Sequence, residues 1–473
     1  MRLRFLVSVV LVAGCATNPV TGRSQLSLVS EGQEIAMGRQ QLAASQQDPG
    51  FVANDALQRY VSSIGMAMAK ASERPKLPWE FHVIDDPAVN AFAAPGGFIF
   101  VTRGLVGYLN SEAQLAAVMG HEIGHVAAKH SVAMISQQEL AQGGLGLFSV
   151  LKPDLAQGVA GQAANIVASL YFLKFSRDDE RMADELGHRY SVHAGYDPRE
   201  MPKTYRTLQQ LDKSSSSSRL PGFLATHPDP GDRMAYTQAW ADTVKNAARL
   251  KVGRDPFLAM TDGLLFGADP QQGYFENGQF VHPVLKFHFA VPSGWQGANG
   301  STQVVLSEPN GGAQVSLKQS AQGTAQAAAQ AFLTQQGVQG QGTQQTSVNG
   351  LPATTGEFNA TSQSGQQLHG EVLFVQNGGQ VYELMGLSLA TTWGQYGGQI
   401  RQTLRSFGPT APGQQFRPRK WIRLVTLQRS TTMNELAGQG SGVVTAADLA
   451  ILNSVDVNAT LAAGTRVKTV VTR

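Results

Sequence analysis

His121, Glu122 and His125 stand in the order H-E-x-x-H, and residues 115–128 around them are apolar, with no charged side chain other than Glu122. On a helix, residues four apart share a face. Both imidazoles can therefore reach one metal ion, while Glu122, one residue round, can reach a water beside it. This is the minimum constellation for zinc-assisted peptide hydrolysis. A carboxylate in an apolar helix is costly without such a partner. A hydrolytic zinc takes three protein ligands and keeps one position open, so a third donor must come from elsewhere. His130 lies nearly opposite His121 and His125 on a helical wheel, which excludes it. Glu180 is better placed, in the stretch SRDDERMAD at 176–184. Asp184, one turn later, can accept the second N–H of a ligand histidine and fix its orientation. By spacing alone this stretch reads equally well as a solvated helix face.

The elements that must hold these residues can be read in outline. Ser111 with Gln114 predicts a capping box at the start of the HExxH helix, 111–130. Ser176 predicts the N-cap of a helix over 176–194, with Gly195 just past its end. Further helices are expected at 31–43, 56–71, 198–211 and 231–250, and a strand at 79–84. Residues 90–101 predict a hairpin around Pro95-Gly96-Gly97. Its strand with Asn90, Ala91, Phe92 and Ala93 could take an extended substrate by β-addition, or could be only an internal hairpin of the fold. Residues 155–173 carry no charge. Gln157, Gln162 and Asn165 dilute that run, so it reads as a partly buried helix or lid over the cleft. Residues 214–218 are a serine loop.

The whole chain has 473 residues, 37 Lys and Arg against 34 Asp and Glu, and a net charge of +3. Its basic residues are scattered, which excludes a nucleic-acid binder. Arg2 and Arg4 precede an apolar core at 5–12, a short signal peptide. Residues 11–15, Leu-Val-Ala-Gly-Cys, resemble the lipobox of bacterial lipoproteins. The resemblance implies cleavage before Cys15, acylation of that residue and, with Ala16 following, the periplasmic side of the outer membrane. Cys15 is the one cysteine of the chain, so neither a disulfide nor a cysteine-ligated zinc is available.

HEIGH followed by SRDDERMAD resembles the gluzincin metallopeptidases, the family of the CAAX prenyl proteases and HtpX. Together with residues 18–22, 90–105 and 226–233, the likeness is closest to the soluble periplasmic BepA-like lipoprotein branch. It implies one zinc per chain held by His121, His125 and Glu180, Glu122 as general base and Asp184 as its supporting carboxylate. It also brings His227, of the sequence Thr-His-Pro, and Arg233 to the cleft. His227 would stabilise the oxyanion or fill the open position at rest. From the residues alone, His227 reads as well as a capping or core histidine and Arg233 as a surface charge.

The expected fold is therefore multidomain. A mainly α-helical zincin-type domain with a small sheet spans 31–250, after a signal peptide at 1–14 and a tether at 15–30. An α+β domain over 255–408, faintly resembling the PsbP-like proteins, has no evident chemistry; its strands are expected at 287–290, 303–306, 314–317, 371–375 and 381–387, its helices at 323–336 and 393–404, and a Gln/Gly-rich loop at 339–347. A linker at 409–420 leads to 421–473, which resembles a LysM-like βααβ unit. Its Arg429-Ser430-Thr431 departs from the usual Gly-Asp-Thr. The expected function is a lipid-anchored zinc endopeptidase acting on misfolded or stalled envelope proteins. Two alternatives stand beside it: a latent protease acting as a chaperone, and a peptidoglycan-targeted peptidase or amidase.

Overall fold

The computed structural model of the chain describes residues 15–141, 174–214, 223–227, 230–362, 365–439 and 443–472. The expected signal peptide, the expected helix or lid at 155–173 and nearly all of the serine loop lie outside them. The chain divides into two units. One ends at Ala268 and resumes at Lys420; the other is Asp269–Arg419.

The first unit opens with β1 (Cys15–Thr17) antiparallel to β2 (Ser24–Leu26). Residues expected as a free tether are therefore tied down. Asn18 donates to the carbonyl of Ala128 at 2.9 Å, and the Leu28 amide to Ser136 at 2.9 Å. Helix α1 (Glu31–Gln47) starts in a full capping box at Ser30, and α2 (Asp55–Ala69) starts at Asn54. β3 (Glu80–Ile84) runs parallel to β5 (Phe98–Thr102), and β4 (Ala91–Ala94) runs antiparallel to β5. The predicted hairpin is thus present, and β4 is an outer strand of the three.

After the short α3 (Arg103–Tyr108) comes α4 (Glu112–Ala127), which carries the HExxH residues. All 16 of its residues are buried, as the lack of charge required. Ser111 accepts from the Gln114 amide at 3.1 Å, but the Gln114 side chain turns to the Asn110 amide instead of closing the box. The helix also stops three residues early. Lys129 takes a left-handed φ of 59°, and a new helix, α5 (His130–Ala141), begins at once. Helix α6 (Arg177–His193) has Ser176 in a capping box with Asp179, and Gly195 follows its end at φ 87°. Next come α7 (Glu200–Ser214), the single turn α8 (Phe223–Thr226), α9 (Pro230–Thr243) and α10 (Arg254–Thr261). Phe257 of α10 is fully buried in the first unit's core, so this unit continues past the boundary expected near 255.

Small residues let α4 and α6 touch backbone to backbone. A Cβ on Gly187 would lie 2.7 Å from the His121 nitrogen, and one on Gly124 would lie 2.9 Å from the Ala183 carbonyl. That approach is what brings a carboxylate of α6 within reach of histidines on α4.

Residues 420–472 rejoin this core. Strands Lys420–Thr426 and Arg466–Thr472 pair antiparallel and enclose helices Met433–Gln439 and Ala446–Leu452. This segment is expected as a separate unit, yet Ile422, Leu449, Leu452 and Val470 pack in the same cluster as Leu105 and Leu109. Lys468 is fully buried, and its ammonium donates to the carbonyls of Gly107 (2.7 Å) and Leu109 (2.8 Å). The register of a helical or strand pattern does not reveal such a docking.

The second unit holds a seven-stranded antiparallel sheet, a four-stranded sheet, and helices Ala325–Leu333 and Trp393–Arg405. The expected strands and both helices are present. The expected loop at 339–347 is instead strand Val338–Val348, at an edge of the large sheet and paired with Leu351–Thr361. Nearly all of its side chains are exposed, so no apolar alternation marked it as a strand.

Candidate metal centre

Side chains from four helical elements and the turn after α8 converge beside α4. His121, His125, Glu180 and His227 each offer one ligand atom, and these atoms all lie within 4.8 Å of one another. The two Nε2 atoms of His121 and His125 are 3.0 Å apart. Glu180 reaches both, at 3.6 and 3.5 Å. His227 Nδ1 lies 2.8 Å from Glu180 Oε1 and 3.2 Å from His121 Nε2. None of the four is more than 3% exposed.

Buried charge of this density needs partners. Asp184 Oδ1 lies 2.7 Å from His121 Nδ1 and accepts its proton, which leaves Nε2 with a free lone pair. Arg233 binds Asp184 through two nitrogens, Nε at 2.8 Å and Nη2 at 2.7 Å, and its Nη1 lies 2.7 Å from Glu180. The hydroxyls of Tyr205 and Tyr236 complete the shell of Asp184. One arginine therefore offsets part of the repulsion between two carboxylates.

The protonation states suit a metal ligand set. Burial, and then the Arg233 charge, push His121 down to about 3, so its imidazole is neutral. Burial opposes ionisation of Asp184, but Arg233 and His121 outweigh it and hold the carboxyl below its usual range. Glu180 is likewise held low, because His227 and His121 outweigh its burial. Glu122 behaves oppositely: burial pushes it up to about 7. Its Oε1 has no hydrogen-bond partner among the described residues and lies 3.6 Å from His227 Nε2. Imidazole nitrogens beside a carboxylate, with no thiolate, form an N/O donor set that fits zinc.

The residues singled out in the sequence thus fall into three places. His121, Glu122, His125, Glu180, Asp184, His227 and Arg233 share one buried cluster. Arg233 faces the carboxylates of Glu180 and Asp184 within it. Asn90 through Ala93 lie on or just before β4, and their side chains are buried. Cys15 opens β1, remote in sequence from the cluster.

Other neighbours were not foreseen. Tyr205 and Tyr236 meet Asp184 only through packing, and no spacing links them. Phe175 stacks on His125 with ring centroids 4.1 Å apart, and Phe223 stacks on His227 at 4.4 Å. His130, excluded on the wheel as a ligand, still reaches His125: their Nδ1 atoms are 2.9 Å apart. The exclusion assumed one unbroken helix.

Residues 55–241 match the model of Peptidase family M48. The chain is 33% identical over 235 residues to the beta-barrel assembly-enhancing protease of Escherichia coli, covering 48% of each chain. It is 35% identical over 182 residues to the mitochondrial metalloendopeptidase OMA1 of Arabidopsis thaliana, covering 38% of this chain and 35% of that one. The chain spans about half the length of the first-named relative. Among solved structures, the PsbP protein of Synechocystis covers 28% of this chain and 91% of its own, at 16% identity and a TM-score of 0.24. That likeness is too shallow to assign a fold. No helix among the described residues is long and apolar enough to cross a membrane.

Proposed function

We propose that the Peptidase family M48 domain carried at residues 55–241 makes this chain a zinc-dependent endopeptidase. The observation that carries this reading is the buried donor set of His121, His125 and Glu180 with Glu122 beside it. His121 and His125 would hold the ion through Nε2 and Glu180 through its carboxylate, one ion per chain. When bound, zinc would supply a Lewis acid to polarise the peptide carbonyl and acidify water.

The chain's own residues do the rest. Glu122, poised near neutrality by burial, takes the proton of the attacking water and returns it to the leaving amine. Asp184 and Arg233 hold His121 and Glu180 in place. The outer edge of β4 has no paired strand among the described residues, and it can take an extended chain through main-chain hydrogen bonds. Binding of that kind suits unfolded polypeptides of varied sequence. The similarity to a beta-barrel assembly-enhancing protease supports envelope polypeptides, misfolded or stalled in assembly, as the substrates. Acylated Cys15 would anchor the chain on the periplasmic side of the outer membrane, and residues 421–473 would be the part of the chain that meets peptidoglycan.

A second reading has its own observation. His227 sits among the donor atoms, 3.2 Å from His121 Nε2, where substrate oxygen would need room. A protein resting in this state would hold clients without cutting them. Zinc content and casein cleavage of the purified protein separate the readings, with Glu122→Gln and His227→Ala alongside. One zinc per chain, with cleavage abolished by Glu122→Gln, is the expected result. Cleavage only after His227→Ala would favour the latent form. A folded wild type without zinc would sink both.

A further inference from the structure

The two imidazoles of the HExxH helix need separate supports. His121 has Asp184, but nothing on α6 reaches the far nitrogen of His125. The break after α4 supplies a partner. Arg74, only 7% exposed, donates to the Val126 carbonyl at 3.1 Å and ion-pairs with the fully buried Glu34 at 2.8 Å. Lys129, in its left-handed turn, binds Glu34 at 2.7 Å. This clamp fixes the corner from which His130 starts α5. His130 is itself 6% exposed, and its Nδ1 lies 2.9 Å from His125 Nδ1.

Two facing ring nitrogens at that distance need one proton between them. His125 turns its Nε2 toward His121 and Glu180, so its proton resides on Nδ1. His130 must then accept at Nδ1 and carry its own proton on Nε2. That atom makes no hydrogen bond among the described residues but lies 3.4 Å from Asp179 Oδ1, within ion-pair distance. Asp179 is itself held, because its Oδ2 accepts from the amide and hydroxyl of Ser176 in the capping box. One oxygen caps α6 and the other remains for the histidine.

We propose that His130, backed by Asp179, is a positioning residue that sets the tautomer and ring orientation of His125 for metal binding, as Asp184 does for His121. The inference rests on the reading of His125 as a zinc ligand. His130 makes no contact with substrate in this role and acts through His125 alone.

Zinc affinity of the full-length protein, measured by competition with a chromophoric chelator, tests the relay in His130→Leu and His130→Gln. Leu fills the space but accepts no hydrogen bond, whereas the Gln amide oxygen can accept from Nδ1–H. His130→Leu is expected to bind zinc roughly 10- to 100-fold more weakly. His130→Gln should recover most of that loss, with both zinc-free variants melting at the same temperature. Equal zinc affinity in wild type and His130→Leu would overturn the relay alone. So would a loss in His130→Gln as large as in His130→Leu. A wild type that binds no zinc would overturn the metal site together with the relay.

Discussion

In the first unit Glu180, Asp184 and Arg233 all lie within the protein, none more than 3% exposed, and each has only the others and their neighbours to stabilise its charge. In the second unit the buried carboxylates Glu371 and Glu383 are paired with Arg401 and Lys318, whose side chains are 39% and 49% exposed. The core there is apolar, built from Phe280, Phe287, Leu384, Ile400 and Phe407. A charge whose partner reaches water costs little to keep and has no need of a use. Three charges taken wholly out of water cost several kcal/mol unless their geometry is fixed. The contrast says where the molecule spends stability on chemistry: in the first unit, around α4 and α6.

The largest test of that contrast is Arg233→Leu. It leaves the buried carboxylates of Glu180 and Asp184 without the arginine that pairs with both. Removing one partner of a buried pair costs about 3–5 kcal/mol, to be read from the denaturant midpoint, and bound zinc should be lost with it. A cost below about 1 kcal/mol, the range of exposed pairs, would erase the distinction between the units.

How much of this was legible follows the same divide. The gathering of His121, His125 and Glu180 was partly readable: the HExxH pair carries its meaning in residue type and helical spacing, whereas Glu180 stood out only through the resemblance, since its spacing fits a solvated helix face as well. Helix starts at Ser111 and Ser176 were readable, since caps are local. The supports were not. Tyr205 and Tyr236 reach Asp184 from helices whose placement depends on packing. The contact of His130 with His125 was hidden because a wheel presumes one helix, and the left-handed Lys129 breaks it. Strand Val338–Val348 was read as a loop because an exposed edge has no apolar face to betray it. The docking of residues 420–472 joins Ile422, Leu449, Leu452 and Val470 to the first unit's apolar cluster and seats Lys468 on two helix-end carbonyls, contacts that no pattern along the chain encodes.

A pair of glycine variants sharpens the comparison at lower cost. A Cβ on Gly187 would meet the backbone of His121 at 2.7 Å, whereas one on Gly386 would meet Cγ2 of Ile400. Overpacking costs about 1–3 kcal/mol in either place. Only Gly187→Ala pushes α6 away from α4, so it alone should weaken zinc binding. Equal zinc retention in Gly187→Ala and Gly386→Ala would show that the helix contact does not set the ligand geometry.

Acid gives a graded effect, set by how far the pH is lowered. His121 is pushed from 6.5 down to about 3 in the folded protein. Between those values the unfolded chain binds a proton that the folded one refuses. The stability contributed by neutral His121 is therefore complete above pH 6.5 and is lost as pH falls toward 3. The slope is up to ~1.4 kcal/mol per pH unit for one such group. Hydrogen exchange in α4 of the zinc-free protein, followed from pH 6.5 to 4, reads this directly. Protection that stays flat across that range would mean that His121 is protonated in place.

The smallest effect is expected where the second unit holds its most elaborate surface charge. Arg401 spans Glu371 at 3.0 Å and Glu357 at 3.7 Å, and its guanidinium lies over the ring of Trp393. Such networks look strong in a list of contacts. Yet the arginine is 39% exposed, so water already solvates its charge in the native state and salt screens what remains. Arg401→Ala should cost about 1 kcal/mol or less, part of it from lost contact between the arginine stem and the indole. Zinc retention should not change. The cost should shrink further at 1 M salt, where charges more than about 3 Å apart are screened, while the cost of Arg233→Leu should stay the same because buried pairs are screened much less. A salt-insensitive loss above about 2 kcal/mol for Arg401→Ala would place a buried-type charge in the second unit. Such a loss would make that unit a second place to look for chemistry.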